Sequence, residues 1–228
     1  MYHSVSDSRA FLAVNPQEFE KQLNYLKQKK FTVIRLSELI NSLRAGTLPK
    51  RAICLSFDDG YEDNLENVLP LLQKFNMPAS IFVATGLIGS RYTSSDGFEF
   101  SMMSAQQLKT MQESGLVEFF PHSHRHENLD ELPPEEGRKE IIRSEEELES
   151  LLGPLPEKIF SYPRGRFSAE IIEYLRESGW KGAVTVKSGL VRAKSDPFRL
   201  RRNSVDGKTS FSQFKAHISG IMRVYEIF

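Results

Sequence analysis

Short runs that are apolar on both faces, each followed by a stretch of helical periodicity, constrain this chain more than any other feature. Ala52 to Phe57 and Ala79 to Ala84 are the clearest such runs, and 31–34, 117–120, 158–162 and 182–186 are shorter ones. A strand apolar on both faces must be covered on both, which argues for a parallel sheet flanked by helices. Asn15-Pro16 starts the first helix, with Phe19, Leu23 and Leu26 spaced for one buried face. Further helices are expected from Ser37 as cap to about Arg44, over 64–75 with a break or kink at Pro70, and over 104–114. Others are expected over 134–152, over 168–178 and from about Ser210. Six or seven such units predict an α/β fold, a closed or nearly closed βα barrel rather than an open sheet. Working residues should then lie at the carboxyl ends of the strands. The polar connection 86–103 is long enough to act as a substrate-facing flap.

The length of 228 residues suits one domain or at most two small ones, and burial of roughly 70% of the unfolded surface needs no covalent staple. Cys54 is the single cysteine, which excludes an internal disulfide. Thirty basic and thirty acidic residues give zero net charge, which argues against a protein that coats nucleic acid. No stretch reaches the ~18 apolar residues of a membrane span. Met1-Tyr2-His3-Ser4-Val5 lacks the pattern of a signal peptide. The expected location is cytoplasmic if the chain is complete and extracytoplasmic if a leader was removed. The oligomeric state is left open.

Two motifs follow apolar runs. Phe57-Asp58-Asp59-Gly60 places two adjacent carboxylates at a strand end. Holding both charged calls for a compensating cation, so one can bind a metal while its neighbour acts as a base. Taken alone, the motif reads equally well as a solvated Asp-Gly turn. The second, His122-Ser123-His124-Arg125-His126, holds three of the five histidines. On a helical turn His122 and His126 share a face; in extended chain all three do. Two imidazoles and a carboxylate make a three-ligand site with a position left for water. Zinc is the first choice for such donors, with cobalt, nickel or manganese able to occupy them.

Phe57-Asp58-Asp59-Gly60, then His122-Ser123 with His126, then Phe160-Ser161-Tyr162-Pro163-Arg164-Gly165 follow one another as in a known family. In these motifs and their strand context the chain resembles polysaccharide deacetylases of the NodB-homology type, carbohydrate esterase family four. The resemblance runs from residue 1 to at least Val205. It implies a distorted, incomplete (β/α) barrel of about seven parallel strands surrounded by helices, with 1–228 as a single catalytic domain. It implies a metal-dependent hydrolase that removes N-acetyl groups from N-acetylglucosamine-containing polysaccharide or oligosaccharide. Asp58 would be the general base, and Asp59, His122 and His126 would hold one divalent ion. His124 matches no family ligand. Tyr162 and Pro163, with Arg164, would shape a wall of the groove, and the Arg164 N–H would help stabilise the oxyanion.

The chain departs from the family pattern in three places. The third motif lacks the arginine that orients the base in many members, leaving Arg164 and Arg166 as candidates to replace it. The terminal histidine motif, a general acid in many members, finds only His217 as its match, inside an apparent helix. Trp180 is either the family's groove tryptophan or a packed core aromatic. His3, with Tyr2, either lines the sugar pocket or packs the barrel end. Two other readings stay open: an amidohydrolase for a small molecule on the same barrel, and a carbohydrate-binding relative without turnover.

Overall fold

In the computed structural model, which describes residues 1–219, eleven short strands and seven α-helices follow one another. The strands are β1 (Ser4–Val5), β2 (Ala13–Val14), β3 (Thr32–Val33), β4 (Ala52–Ile53), β5 (Ser56–Phe57) and β6 (Ala79–Val83). They continue as β7 (Arg91–Thr93), β8 (Glu99–Ser101), β9 (Val117–Pro121), β10 (Ile159–Ser161) and β11 (Gly182–Val184). The helices are α1 (Pro16–Gln28), α2 (Leu36–Ala45), α3 (Leu69–Phe75), α4 (Ala105–Glu113), α5 (Pro134–Leu152), α6 (Ala169–Glu177) and α7 (Phe211–Ser219). The last part of the expected 1–228 unit, 220–228, lies outside the described residues.

All pairings are parallel except the β7–β8 hairpin: β1 with β2, β3 with β4, β5 with β6 with β9, and β10 with β11. Single bridges extend these ladders, Tyr2 to Phe57 and Val184 to Leu200. The expected parallel α/β arrangement is therefore present. Among the described residues the ladders form separate sheets, with no closed ring. The run 52–57, expected as one strand, divides into β4 and β5 because its two halves pair with different neighbours, β3 and β6.

Local chemistry explains most helix ends. The Asn15 side chain accepts from Gln17 N, and Pro16 sits at the first helical position. Ser104 and Gln107 form a reciprocal capping box. Residues 64–68 are π-helical and run into α3, so the break or kink expected at Pro70 falls where the helix changes from π to α. Ser37 is not the cap expected of it: α2 starts at Leu36, and its first N–H groups are taken by a buried carboxylate from β9. Leu36 N and Ser37 N both donate to Glu118 Oε1, at 2.8 and 3.1 Å, and Ser37 Oγ donates to Oε2.

One core cluster lies between the β5–β6–β9 sheet and α1, α3 and α4, with Phe19, Leu23, Phe57, Leu72, Ile81 and Phe119 fully or almost fully buried. A second joins α2 to the inner strand residues Phe82, Phe120, Ile159, Val184 and Leu200. These clusters fix the strands, and the parallel order sends the carboxyl ends of β5, β9, β10 and β11 to one rim. The expected flap contains the β7–β8 hairpin, and Tyr61 after β5 bridges to Met102 after β8.

Candidate active site

Asp58 and Asp59 leave β5, and His122 leaves β9, on that shared rim. Asp59 Oδ1 is 3.5 Å from His122 Nε2 and 3.3 Å from His126 Nε2. One ligand atom from each of the three residues lies within 4.8 Å of the others. The His122–His126 convergence needs neither a helix nor an extended strand. Ser123 and His126 take left-handed φ values of 60° and 59°, which reverse the chain between the rings. Asp59 at φ 74° and Arg164 at φ 53° are in the same region. Each such non-glycine residue costs about 1–3 kcal/mol, and four together mark a place where the backbone serves geometry rather than stability.

The donor set fits a cation. His122 Nδ1 is 2.8 Å from the carbonyl of Ser161, which only accepts, so Nδ1 carries the proton and Nε2 turns its lone pair toward Asp59. Burial, the dominant influence, lowers the His122 imidazolium to about 4 against the opposing pull of Asp58. The ring is therefore neutral near neutrality, and a lone pair faces a carboxylate oxygen that is itself buried and without a hydrogen-bond partner. Two facing acceptors repel unless a positive charge lies between them.

Asp58 is 2% exposed and is turned to a different partner. Arg202 grips both its oxygens, Nη1 to Oδ1 at 2.6 Å and Nη2 to Oδ2 at 2.7 Å. The guanidinium is fixed in turn by Thr185 O, Ser56 Oγ and Ser161 Oγ. Burial alone would raise the Asp58 carboxyl, but the charge of Arg202 and its two hydrogen bonds outweigh it and hold the group below the usual carboxylate range. The backbone of Asp58 is tied to the first strand run, its N–H donating to Tyr2 O.

Arg202 is the residue that sequence reasoning missed. Neither candidate replacement reaches Asp58: Arg164 Nη1 donates to Asn128, and Arg166 pairs with Asp130 and Glu131. No sequence signal singles it out: Leu200 and Arg202 are buried and Arg199 and Arg201 exposed, an alternation of extended chain that only the fold reveals. Tyr92 on β7 was also unmarked. It stands edge-on to Tyr61 with ring centroids 6.4 Å apart, and partial burial, then the charge of Asp59, raises its phenol.

The remaining expected residues divide. His3 sits edge-on to Tyr61, the residue after Gly60, with ring centroids 6.5 Å apart. Trp180 does not line a groove: it is 3% exposed, before β11 begins, and packs edge-on to Phe160. The Tyr162 side chain is a correction of the same kind, fully buried with its hydroxyl donating to Phe198 O. Pro163 is buried at the start of a 3-10 turn over 163–165, which leaves Arg164 exposed at the surface. His217 lines a cavity with Met1, Leu26, Cys54 and Val205, to which none of Asp58, Asp59, His122 and His126 contributes, so its assignment as acid is not supported.

The His122 environment has a consequence for acid stability. Unfolded histidine titrates near 6.5, whereas folded His122 resists protonation down to about 4. The unfolded state thus binds the proton first. Stability is full above pH 6.5 and falls as pH drops toward 4, by an amount on the order of 3 kcal/mol. In metal-free protein, denaturant titrations across this window should show that slope, and His122→Gln should remove most of it.

A family model described as polysaccharide deacetylase matches residues 45–183. The poly-beta-1,6-N-acetyl-D-glucosamine N-deacetylase of Staphylococcus epidermidis is 29% identical over 198 residues, covering 83% of this chain and 67% of that protein. Among solved structures, the Streptococcus pyogenes deacetylase PplD in complex with acetate has a TM-score of 0.83 at 24% identity, covering 96% of this chain and 95% of that one. IcaB from Ammonifex degensii has a TM-score of 0.82 at 25% identity, covering 96% and 93%.

Proposed function

This chain belongs to the polysaccharide deacetylase family and is a hydrolase of carbon–nitrogen bonds, and from that premise we propose that it removes N-acetyl groups from an N-acetylglucosamine-containing polysaccharide or oligosaccharide. One observation carries the reading: three ligand atoms from Asp59, His122 and His126 converge, with an ionised Asp58 beside them that belongs to a separate hydrogen-bond system. The Staphylococcus epidermidis relative, named for a β-1,6-linked polymer, makes that linkage the first to test.

Asp59, His122 and His126 would hold one divalent cation, with zinc the first choice for these donors. When bound, it supplies Lewis-acid polarisation of the acetyl carbonyl and acidifies water to a pKa of about 7. Asp58 accepts the proton as water adds to the carbonyl carbon. Its charge state suits that role, because Arg202 keeps it ionised throughout the physiological range while each oxygen retains a further lone pair. The N–H of Arg164 is the proposed donor to the developing oxyanion. As the carbon–nitrogen bond breaks, the proton held by Asp58 passes to the departing amine, and acetate leaves. His3 and Tyr92, both packed against Tyr61, are proposed to contact the sugar. The rim that carries these groups is read as that of an incomplete barrel, supported by the parallel order of β5, β6 and β9 and by the bridge from Tyr2 to Phe57.

The experiment is acetate release from β-1,6-linked N-acetylglucosamine oligomers and from acetylated xylan, with and without chelator. Release from the amino sugar is expected, abolished by chelator, restored by added divalent metal, and absent in His122→Ala. Release indifferent to chelator, or none from any N-acetylated sugar, would overturn the reading.

A further inference from the structure

The histidine-rich segment contains two residues, His124 and Arg125, that the proposed chemistry does not use. Both point away from the ligand trio and toward α5. The Arg125 backbone N–H donates to Glu140 Oε2 at 2.7 Å, and its Nε donates to Oε1 of the same carboxylate at 2.8 Å. Glu140 is 5% exposed, so this carboxylate is committed to the segment rather than to water. Seven residues on, Glu147 lies on the same helical face. Its Oε2 accepts from His124 Nδ1 at 2.9 Å, with Thr85 Oγ1 3.1 Å from the same nitrogen.

The other side of the segment is closed by backbone. Thr85 N donates to Ser123 O and Gly86 N to His124 O, at 3.2 and 2.8 Å. A Cβ on Gly86 would stand 2.7 Å from His124 O, so only glycine permits this approach. The segment 122–126 is thus clamped between the 3-10 turn over 85–87 and two carboxylates of α5. Its left-handed residues, Ser123 and His126, flank the two clamped ones. Left-handed backbone persists at non-glycine positions only where the surroundings over-determine it.

We propose that Glu140 and Glu147 are positioning residues for the metal centre, holding 122–126 in the conformation in which both imidazoles meet Asp59. The proposal rests on the metal reading above. Within the motif, His122 and His126 donate to the cation, while His124 and Arg125 anchor the loop to α5. Glu140 is the stronger anchor, because it is buried and engages both main chain and side chain.

The test titrates cobalt(II) into metal-free protein against a competing chelator and records the visible absorption of the bound ion. Glu140→Ala should weaken cobalt about 10–100-fold, the range found when partners behind metal ligands are removed, with altered absorption bands. Glu140→Gln, which keeps an acceptor oxygen for the Arg125 N–H, should recover part of the affinity. Leu148→Ala serves as control, since Leu148 packs α5 into the core and its apolar side chain supplies no hydrogen bond to the segment. It should lower thermal stability and leave cobalt affinity and spectrum unchanged. Wild-type affinity and spectrum in Glu140→Ala would overturn the proposal, as would equal weakening by Leu148→Ala. If the unaltered protein binds cobalt no better than His122→Ala, the metal reading itself fails, a result distinct from either.

Discussion

Arg202→Met is expected to destabilise the folded protein by about 3–5 kcal/mol, the range for a buried ion pair that loses one partner. The loss comes less from the bonds themselves than from the Asp58 charge left behind in a site almost without water. A second effect follows from the same physics. Burial pushes the Asp58 carboxyl upward and Arg202 is the main influence opposing it. Without the guanidinium the carboxyl should titrate above the ordinary carboxylate range, and the acidic limb of the pH–activity profile should move to higher pH. Denaturant unfolding measures the first effect and a pH series of initial rates the second. Arg202→Lys keeps the charge but not the two-point grip, and should fall between. A profile that stays in place in the methionine variant would show that Asp58 does not govern it.

Asp58→Asn is expected to lower kcat by roughly 10²–10⁴ while the protein still takes up metal, because the base is removed and the ligand trio is not. Its Oδ2 lies 3.9 Å from His122 Nε2, but Asp58 is not part of the convergent group. The substitution also leaves Arg202 buried without its counter-charge, so some loss of stability accompanies the loss of rate. The double variant Asp58→Asn with Arg202→Met separates the two. It should regain stability relative to either single variant, since neither charge is then stranded, and it should regain no activity. Metal content by elemental analysis and rates at a temperature where all variants are folded complete the comparison. Rates near the unaltered level in Asp58→Asn would remove this residue from the mechanism.

The sequence displayed the ligand trio because its members are contiguous motifs of uncommon residue types, each after an apolar run. Parallel strands then bring their carboxyl ends together, so Asp59 and His122 meet although β6 lies between their strands. Arg202 was hidden because it belongs to no motif and is 144 positions from the carboxylate it grips. Trp180 and Tyr162 show a different limit: an aromatic side chain serves a core and a sugar groove equally well, and only packing decides. The α2 start illustrates a third. A serine at the right place signalled its own cap, but the acceptor came from Glu118 on a distant strand, which no local window contains. The start of α1 and both ends of α4, whose capping is local, were legible to within a residue.

Because Tyr2 and Arg202 secure Asp58 from opposite ends of the chain, the shortest stretch that looks like the family is not the shortest stretch that can work. A fragment trimmed to 45–183 would retain Asp59, His122 and His126 yet forfeit both restraints on the neighbouring carboxylate. Engineers who shorten or permute this protein should therefore keep the segments around Tyr2 and Arg202 and place any new termini elsewhere.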